Sequence, residues 1–269
     1  MKLPVPLWRA LEVRRRETGQ TANQIVVAAL ADFLQVDHAT LFQVSSSTAL
    51  VEGIYEGATT VASLREHGDF GLGTFDALDG EMVVLDGRVY QCRADGSVQE
   101  VDGATRTPFA VVTRFAAERS RVLAEVADIA ALERALDELR RSDNIFYAIR
   151  VDGLFRRVHT RAMARTREGV PLVEAAAHQP EFELRDVRGT LVGFFSPPYA
   201  ASVSVPGYHL HFLTEDRRAG GHVLDCAGSD LNVEIQHEAD VRLALPESSA
   251  FLDADLTRDP TADLAKAEK

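Results

Sequence analysis

The feature that most restricts what this chain can fold into is a histidine-rich stretch from Pro206 to His222, with the sequence P-G-Y-H-L-H-F-L-T-E-D-R-R-A-G-G-H. Residues 208–214 read as a β-strand, because apolar side chains alternate with His209 and His211. Side chains two positions apart on a strand share one face. The pattern therefore predicts two histidines on one face and apolar residues, directed toward a core, on the other.

The residues that follow predict a hairpin. Glu215–Arg218 reads as a polar turn, and an apolar run follows Gly220-Gly221. If the turn has four residues, Thr214 pairs with Ala219 and His211 falls opposite His222. Cross-strand partners share a face, with Cβ atoms roughly 4.5–5.5 Å apart. Three imidazoles then converge, and three protein nitrogens with one open position are typical of catalytic zinc sites.

Bulk properties exclude several classes of protein. The chain has 269 residues, enough for two domains, and a formal net charge of −12, which argues against general nucleic-acid affinity. Its two cysteines, Cys92 and Cys226, form no C-x-x-C pair and no disulfide framework. The N-terminus lacks the apolar core of a signal peptide, and no run is long enough to span a bilayer. We expect a soluble cytoplasmic protein with no membrane partner.

Residues 1–36 read as a helical appendage. An extended start, Lys2 to Val5, leads into a helix that has Pro6 in its first turn and ends at Gly19. A T-x-x-Q capping box at 21–24 then opens a second helix with apolar residues at helical spacing.

This strand–helix–helix order resembles the ribbon-helix-helix family, whose dimers place a two-stranded ribbon in the DNA major groove. The presumed ribbon offers little beyond Lys2 for contact with DNA, since Arg14–Arg16 lie on the following helix. We therefore favour a dimerisation appendage, with nucleic-acid binding through residues 1–36 as the alternative.

The remainder reads as two strand-rich halves, 37–150 and 151–269. In the first half, Asp86-Gly87 and Asp95-Gly96 are both two-residue hairpin signals. Asp128 caps a helix whose apolar stripe belongs to the core.

Three polar residues outside the hairpin are candidates for chemistry. The glycine-rich stretch Gly68–Glu81 has no phosphate-loop signature, so its glycines more simply allow sharp turns that bring Thr74 and Glu81 to a cleft. Glu81 is either a solvated residue or, because it opens an apolar strand, a partly buried acid with a raised pKa. Arg161 reads from pattern alone as a surface arginine, but near a metal its guanidinium would bind a carboxylate.

Five stretches together resemble the acetolactate decarboxylase family: L-F-Q-V-S-S-S-T-A-L, H-G-D-F-G-L-G-T-F-D-A-L-D-G-E, F-Y-A-I-R-V-D-G, T-R-A-M and H-L-H…G-G-H. They run in the family's order from about Leu41 to the C-terminus. The resemblance implies an α/β fold of the α+β type, with two packed halves that each have their own mixed or antiparallel sheet. It implies the zinc ligands His209, His211 and His222, and the active-site residues Thr74, Glu81, Arg161 and Glu268.

The resemblance also implies a function. The substrate would be 2-acetolactate, which loses CO2 to give acetoin in the acetoin and butanediol pathway. Zinc would be the electron sink for the enediolate, and a glutamate would be the proton donor. No flavin or thiamine is required, which agrees with the lack of a motif for either. We expect a homodimer.

Two other interpretations remain open from the sequence. The first is a cupin-like metal oxygenase, since H-L-H-F-L-T-E has that family's H-x-H-x-x-x-E spacing with Glu215 as a fourth ligand. Against it, Val203 stands where the preceding glycine belongs, and His222 replaces the following glycine. The second is a DNA-binding regulator built on residues 1–36, with the larger domain as a ligand sensor.

Overall fold

The computed structural model describes residues 3–34, 38–177 and 179–268. It divides into two compact units, Met1–Ala39 and Thr40–Lys269. The helices of the first unit are α1 (Val5–Thr18) and α2 (Ala22–Leu34).

The end of α1 and the start of α2 lie where the sequence predicts. Gly19 ends α1 in the left-handed conformation, with φ 68°. The capping box before α2 is formed, because Thr21 N–H donates to Gln24 Oε1 at 2.8 Å and Gln24 N–H donates to Thr21 Oγ1 at 3.2 Å. The predicted extended start is wrong at Val5, which already belongs to α1 because Pro6 fits the first turn of a helix. Lys2 lies outside the described residues, and the dimerisation role stays a prediction.

The second unit holds fourteen strands and six α-helices among its described residues. The strands are β1 (Thr40–Val44), β2 (Thr59–Thr60), β3 (Phe70–Thr74), β4 (Glu81–Leu85), β5 (Arg88–Cys92), β6 (Val98–Glu100), β7 (Arg106–Thr107), β8 (Ala110–Thr113), β9 (Arg119–Val126), β10 (Phe146–Arg161), β11 (Glu181–Ser196), β12 (Gly207–Thr214), β13 (Gly220–Glu238) and β14 (Asp240–Ala244). The helices are α3 (Ser47–Val51), α4 (Val61–His67), α5 (Ile129–Leu139), α6 (Leu172–Ala176), α7 (Ser249–Leu252) and α8 (Thr261–Ala267).

The first large sheet is mixed and has seven strands in the order β14-β1-β8-β3-β4-β5-β6. Only the pair of β1 with β14 is parallel. The Asp86-Gly87 turn joins β4 to β5 as a two-residue hairpin, with Leu85 paired to Arg88. The same prediction is wrong at Asp95-Gly96, because Arg93 N–H donates to Ser97 O and leaves a three-residue loop.

The second large sheet is antiparallel and closes on itself. Its order is β10-β11-β12-β13-β9, and β10 also pairs with β13. The four strands β10 to β13 thus form a ring in which β12 and β13 are joined by three residue pairs, and β9 pairs with residues 228–235 of β13. Apolar residues fill its inside and pack against α5, whose Leu132 and Leu136 are buried as the sequence predicts.

The predicted α+β class with two large sheets is confirmed. Each of these sheets also contains one strand from the other half of the chain. Strand β14 comes from the C-terminal part of the chain and completes the first sheet, while β9 precedes residue 150 and belongs to the second. The predicted boundary between residues 150 and 151 falls inside the continuous strand β10. The domain division at 36 and 150 stays a prediction.

Between the sheets lies the largest core cluster. It joins residues of the first sheet, such as Leu72, to residues of the second, such as Phe194 and Leu213. Leu264 and Ala267 of α8 belong to this cluster, so the C-terminal tail packs into the core. Among residues 3–34, 38–177 and 179–268, no helix combines the length and apolar character needed to cross a bilayer.

The buried carboxyl group of Glu238, at the end of β13, should make stability depend on pH. Burial raises its pKa from 4.5 to about 8, and the Glu118 carboxylate contributes to the rise. The folded state therefore holds a proton that the unfolded state releases, so the free energy of unfolding falls as pH rises from 4.5 to about 8. Glu238→Gln should remove this loss and stabilise the protein near pH 8 by on the order of a few kcal/mol.

Urea unfolding of both proteins across this pH range measures the difference. Glu247→Gln is the matched control, because Glu247 is exposed. A stability difference between Glu238→Gln and the wild type that does not change with pH would contradict the prediction.

Candidate metal centre and active site

The histidine hairpin forms in the predicted register. Thr214 N–H donates to Ala219 O at 2.9 Å, and His211 pairs with His222 across β12 and β13. His209 lies two residues before His211 and shares its face. One nitrogen from each ring lies within 4.8 Å of the others, an arrangement that can hold a metal ion.

His211 is oriented by a strand of the first sheet. Its Nδ1 donates to the backbone carbonyl of Met82 in β4 at 2.8 Å, since a carbonyl oxygen can only accept. The other nitrogen, Nε2, is buried and has no hydrogen-bond partner among the described residues. In metal-binding histidines, the imidazole nitrogen that does not bind the metal usually donates a hydrogen bond to a carbonyl or carboxylate oxygen. The unpaired Nε2 atom therefore fits a metal ligand.

His222 has the opposite tautomer. Its Nε2 donates to the backbone carbonyl of Glu268 at 3.1 Å, which leaves the lone pair of Nδ1 for a ligand. The Glu268 carboxylate Oε2 lies 3.6 Å from this Nδ1 and also 3.6 Å from His209 Nε2. The tail glutamate therefore reaches the histidine cluster through both its backbone and its side chain.

Burial keeps the three imidazoles neutral. It lowers the pKa of His209 and of His211 to about 3, with the charge of Arg161 acting in the same direction at His209. Burial also lowers the pKa of His222 well below its ordinary value. Neutral imidazoles are the form that binds metals, so the cluster meets this requirement at physiological pH.

The glycine pair before His222 has a steric role. Gly221 has φ 146°, and a Cβ atom on it would lie 2.5 Å from the backbone oxygen of Arg161. Its missing side chain lets β13 approach β10 closely enough for Arg161 to pair with His222. This pairing places the guanidinium beside the histidines.

Arg161 is buried, with 4% of its surface exposed, and is therefore not the surface residue that its pattern alone favours. Its Nη2 lies 3.4 Å from Glu268 Oε2. Its Nε atom is buried with no hydrogen-bond partner among the described residues. A buried donor without an acceptor is costly, and a bound anion would satisfy it.

Glu81 enters the site from the first sheet. It is buried, its Oε1 accepts a hydrogen bond from Met163 N–H at 3.0 Å, and its Oε2 lies 3.6 Å from His211 Nε2. Burial raises its pKa to about 7, although the charge of Arg161 opposes the rise. Thr74 pairs with Glu81 across β3 and β4, and its hydroxyl donates to Gly80 O at 2.8 Å, which holds the intervening turn.

These groups surround a cavity of about 40 Å³. The polar lining residues are Thr74, Glu81, Arg161, His209, His222 and Glu268, and the apolar ones include Leu50, Leu78, Phe109, Met163, Leu172 and Val205. Burial raises the pKa of Glu268, while Arg161 opposes the rise.

All seven residues named from the sequence meet at this one place. Glu215, the fourth ligand of the cupin interpretation, is exposed in the turn after β12 and is not part of the histidine cluster. Sequence reasoning missed the Met82 carbonyl and the Met163 N–H, because a backbone group leaves no signal in side-chain patterns. It also missed the apolar lining, which comes from segments far apart in the chain.

Comparisons with known proteins agree with this site. The model of the family "Alpha-acetolactate decarboxylase" matches residues 41–258. The chain is 46% identical over 229 residues to the alpha-acetolactate decarboxylase of Methylococcus capsulatus, covering 85% of this chain and 88% of that protein. This chain belongs to the alpha-acetolactate decarboxylase family. It is therefore a carboxy-lyase, and the cupin interpretation is wrong.

Solved structures show the family fold directly. The alpha-acetolactate decarboxylase of Bacillus subtilis strain 168 superposes with a TM-score of 0.82 at 39% identity, covering 85% of this chain and 99% of that one. A Staphylococcus aureus protein described as similar to alpha-acetolactate decarboxylase gives a TM-score of 0.82 at 31% identity, covering 86% and 100%. The family match begins after the first unit, so residues 1–39 lie outside it.

Replacement of His211 tests the metal centre. His211→Ala should lose the bound metal and keep its fold, because the strand pairs through its backbone. Metal content per chain, measured beside circular dichroism, gives the result. His159→Ala is the matched control, since His159 lies on β10 and bonds to Glu181 outside the cluster. Stoichiometric metal in purified His211→Ala would overturn the three-ligand site.

Proposed function

We propose that this enzyme decarboxylates 2-acetolactate to acetoin and CO2 with a zinc ion held by His209, His211 and His222. One observation carries the proposal. Three neutral imidazoles lie together in a member of this family, and two of them share one cavity with a buried arginine and two carboxyl groups. This set of groups can bind a small carboxylate, accept its electrons and return a proton.

The histidine cluster fits zinc. Three imidazole nitrogens without a cysteine are a donor set typical of catalytic rather than structural zinc. The unpaired Nε2 of His211 supports a bound cation in particular, because nothing else among the described residues satisfies it. When bound, zinc supplies a Lewis acid that stabilises negative charge on the substrate oxygens.

Arg161 would hold the substrate carboxylate. Its Nη2 already lies 3.4 Å from a carboxylate oxygen, that of Glu268, and its buried Nε lacks an acceptor. A guanidinium offers two parallel donors to a carboxylate, which fixes the orientation of the group that leaves. The substrate would replace Glu268 as the partner of Arg161.

The two glutamates would handle the proton. The carbon that loses CO2 keeps the electron pair and must gain a proton on one face. Burial raises the pKa of Glu81 to about 7 and also raises the pKa of Glu268, which favours the protonated form of both carboxyl groups. We assign the donation to Glu268 and a supporting role beside His211 to Glu81, while Thr74 positions the turn that leads to Glu81.

Substrate binding requires the tail glutamate to move. The Glu268 carboxylate lies 3.6 Å from His209 Nε2 and 3.4 Å from Arg161 Nη2, where the oxygen atoms of the substrate would bind. We infer that Glu268 leaves this position when the substrate enters and returns to the site to protonate the product. Homodimer formation and a cytoplasmic location stay predictions.

An assay of the purified, zinc-loaded enzyme tests the proposed function. Incubation with 2-acetolactate should yield acetoin and CO2 in equal amounts. Removal of the metal with a chelator should stop the reaction, and added zinc should restore it. Failure of folded, zinc-loaded enzyme to form acetoin would refute the proposal.

The role of the tail is tested by Glu268→Gln. The amide keeps the size of the side chain but cannot donate the proton, so kcat should fall by about 10²–10⁴-fold while zinc content stays normal. Glu247→Gln, an exposed position, should behave as wild type. Wild-type kcat in Glu268→Gln would show that another group donates the proton.

A further inference from the structure

The paired region between β12 and β13, called the seam here, is short. The two strands share three residue pairs, from His211–His222 to Leu213–Gly220. Beyond His211 and His222 they separate, while β12 stays paired to β11 as far as Gly207 and β13 continues along β10. The ring of strands therefore has a gap that begins at the histidine cluster.

Helix α5 covers this gap and is attached to both of its sides. At its start, Ile129 N–H donates to Asp225 of β13 at 2.8 Å. At its end, Arg140 Nε donates at 2.8 Å to the hydroxyl of Tyr208 in β12, and that hydroxyl donates to Asp137 at 2.7 Å. The helix thus connects the two sides of the gap through side-chain hydrogen bonds, while the strands on either side stay unpaired with each other.

An open cavity of about 230 Å³ lies beneath α5, in the gap. Its apolar wall consists of Ile129, Leu210, Val223 and Leu224. It reaches His222 and Glu268, which also line the active-site cavity. The two cavities therefore adjoin each other at His222 and at the tail residue Glu268.

The C-terminal tail is docked against the core in this structure. Leu264 and Ala267 of α8 are each 2% exposed and pack into the core between the sheets. The cavity of about 230 Å³ in the gap is present in this tail-docked structure. Its aliphatic wall suits a small neutral molecule, and Glu133, in the same wall, disfavours an anion such as the substrate.

We propose that the gap beneath α5 is a side passage through which CO2 leaves while the tail stays docked. This inference rests on the proposed function. When the bond between the carboxyl carbon and its neighbour breaks, the electron pair stays on the substrate and CO2 is released. CO2 held beside that carbon can recombine with it before the proton arrives. A passage that removes CO2 makes the bond cleavage irreversible.

The test narrows the passage with Glu133→Trp and measures the ¹³C isotope effect on the carboxyl carbon. If CO2 escapes freely, bond cleavage is the first irreversible step and the wild type shows an isotope effect above unity. With the passage blocked, CO2 returns and the isotope effect falls toward unity. Arg134→Trp is the matched control, because Arg134 is the next residue of α5 and is exposed. Glu133→Gln separates loss of charge from blockage, and both controls should keep the wild-type value.

The outcomes separate the two proposals. A wild-type enzyme that forms no acetoin refutes the proposed function itself. Acetoin formation with a wild-type isotope effect at unity, or with equal values in Glu133→Trp and Arg134→Trp, overturns the passage alone. If Glu133→Trp does not fold, Ile129→Phe narrows the same wall and takes its place. Krypton density in the gap in crystals of the wild type, lost in the folded blocked variant, supports the passage independently, and its absence from the wild type counts against it.

Discussion

The backbone pairing of His211 with His222 is the constraint on which the site depends. It brings two imidazoles from opposite strands to one face, and the strand alternation adds His209. Because the pair is the last of a three-residue seam, the same register that assembles the cluster also leaves the ring of strands open beside it. A slip of one residue would turn the histidines of one strand to the other face and disperse the cluster.

The site belongs to both sheets, which explains why they share one core. The histidines and Arg161 come from the antiparallel ring, whereas Glu81 and the carbonyl that orients His211 come from β4 of the mixed sheet. Each sheet alone would leave buried polar groups without partners. Packing the sheets together buries a large apolar cluster and desolvates the carboxyl groups, so the same contact that stabilises the fold raises the pKa of Glu81.

Much of the local structure was predictable because it depends on short-range rules. The hairpin register followed from a four-residue turn, the helix ends from Gly19 and the capping box, and the buried stripe of α5 from its spacing. The predictions that were wrong also concerned local structure. Asp95-Gly96 fitted a two-residue hairpin by composition, yet the strands on either side pair one residue farther apart than that turn allows.

The sequence by itself determined that three histidines share a face, and the resemblance of its motifs singled out Glu81, Arg161 and Glu268. Only the tertiary structure decided that Arg161 is buried rather than on the surface, and that the tail packs into the core through Leu264 and Ala267. It also decided that each large sheet contains a strand from the other half of the chain. The physical reason is the separation along the chain over which each interaction acts. Alternation and turn length act over a few residues, whereas burial, desolvation and the pairing of β14 with β1 depend on segments that are far apart in the chain.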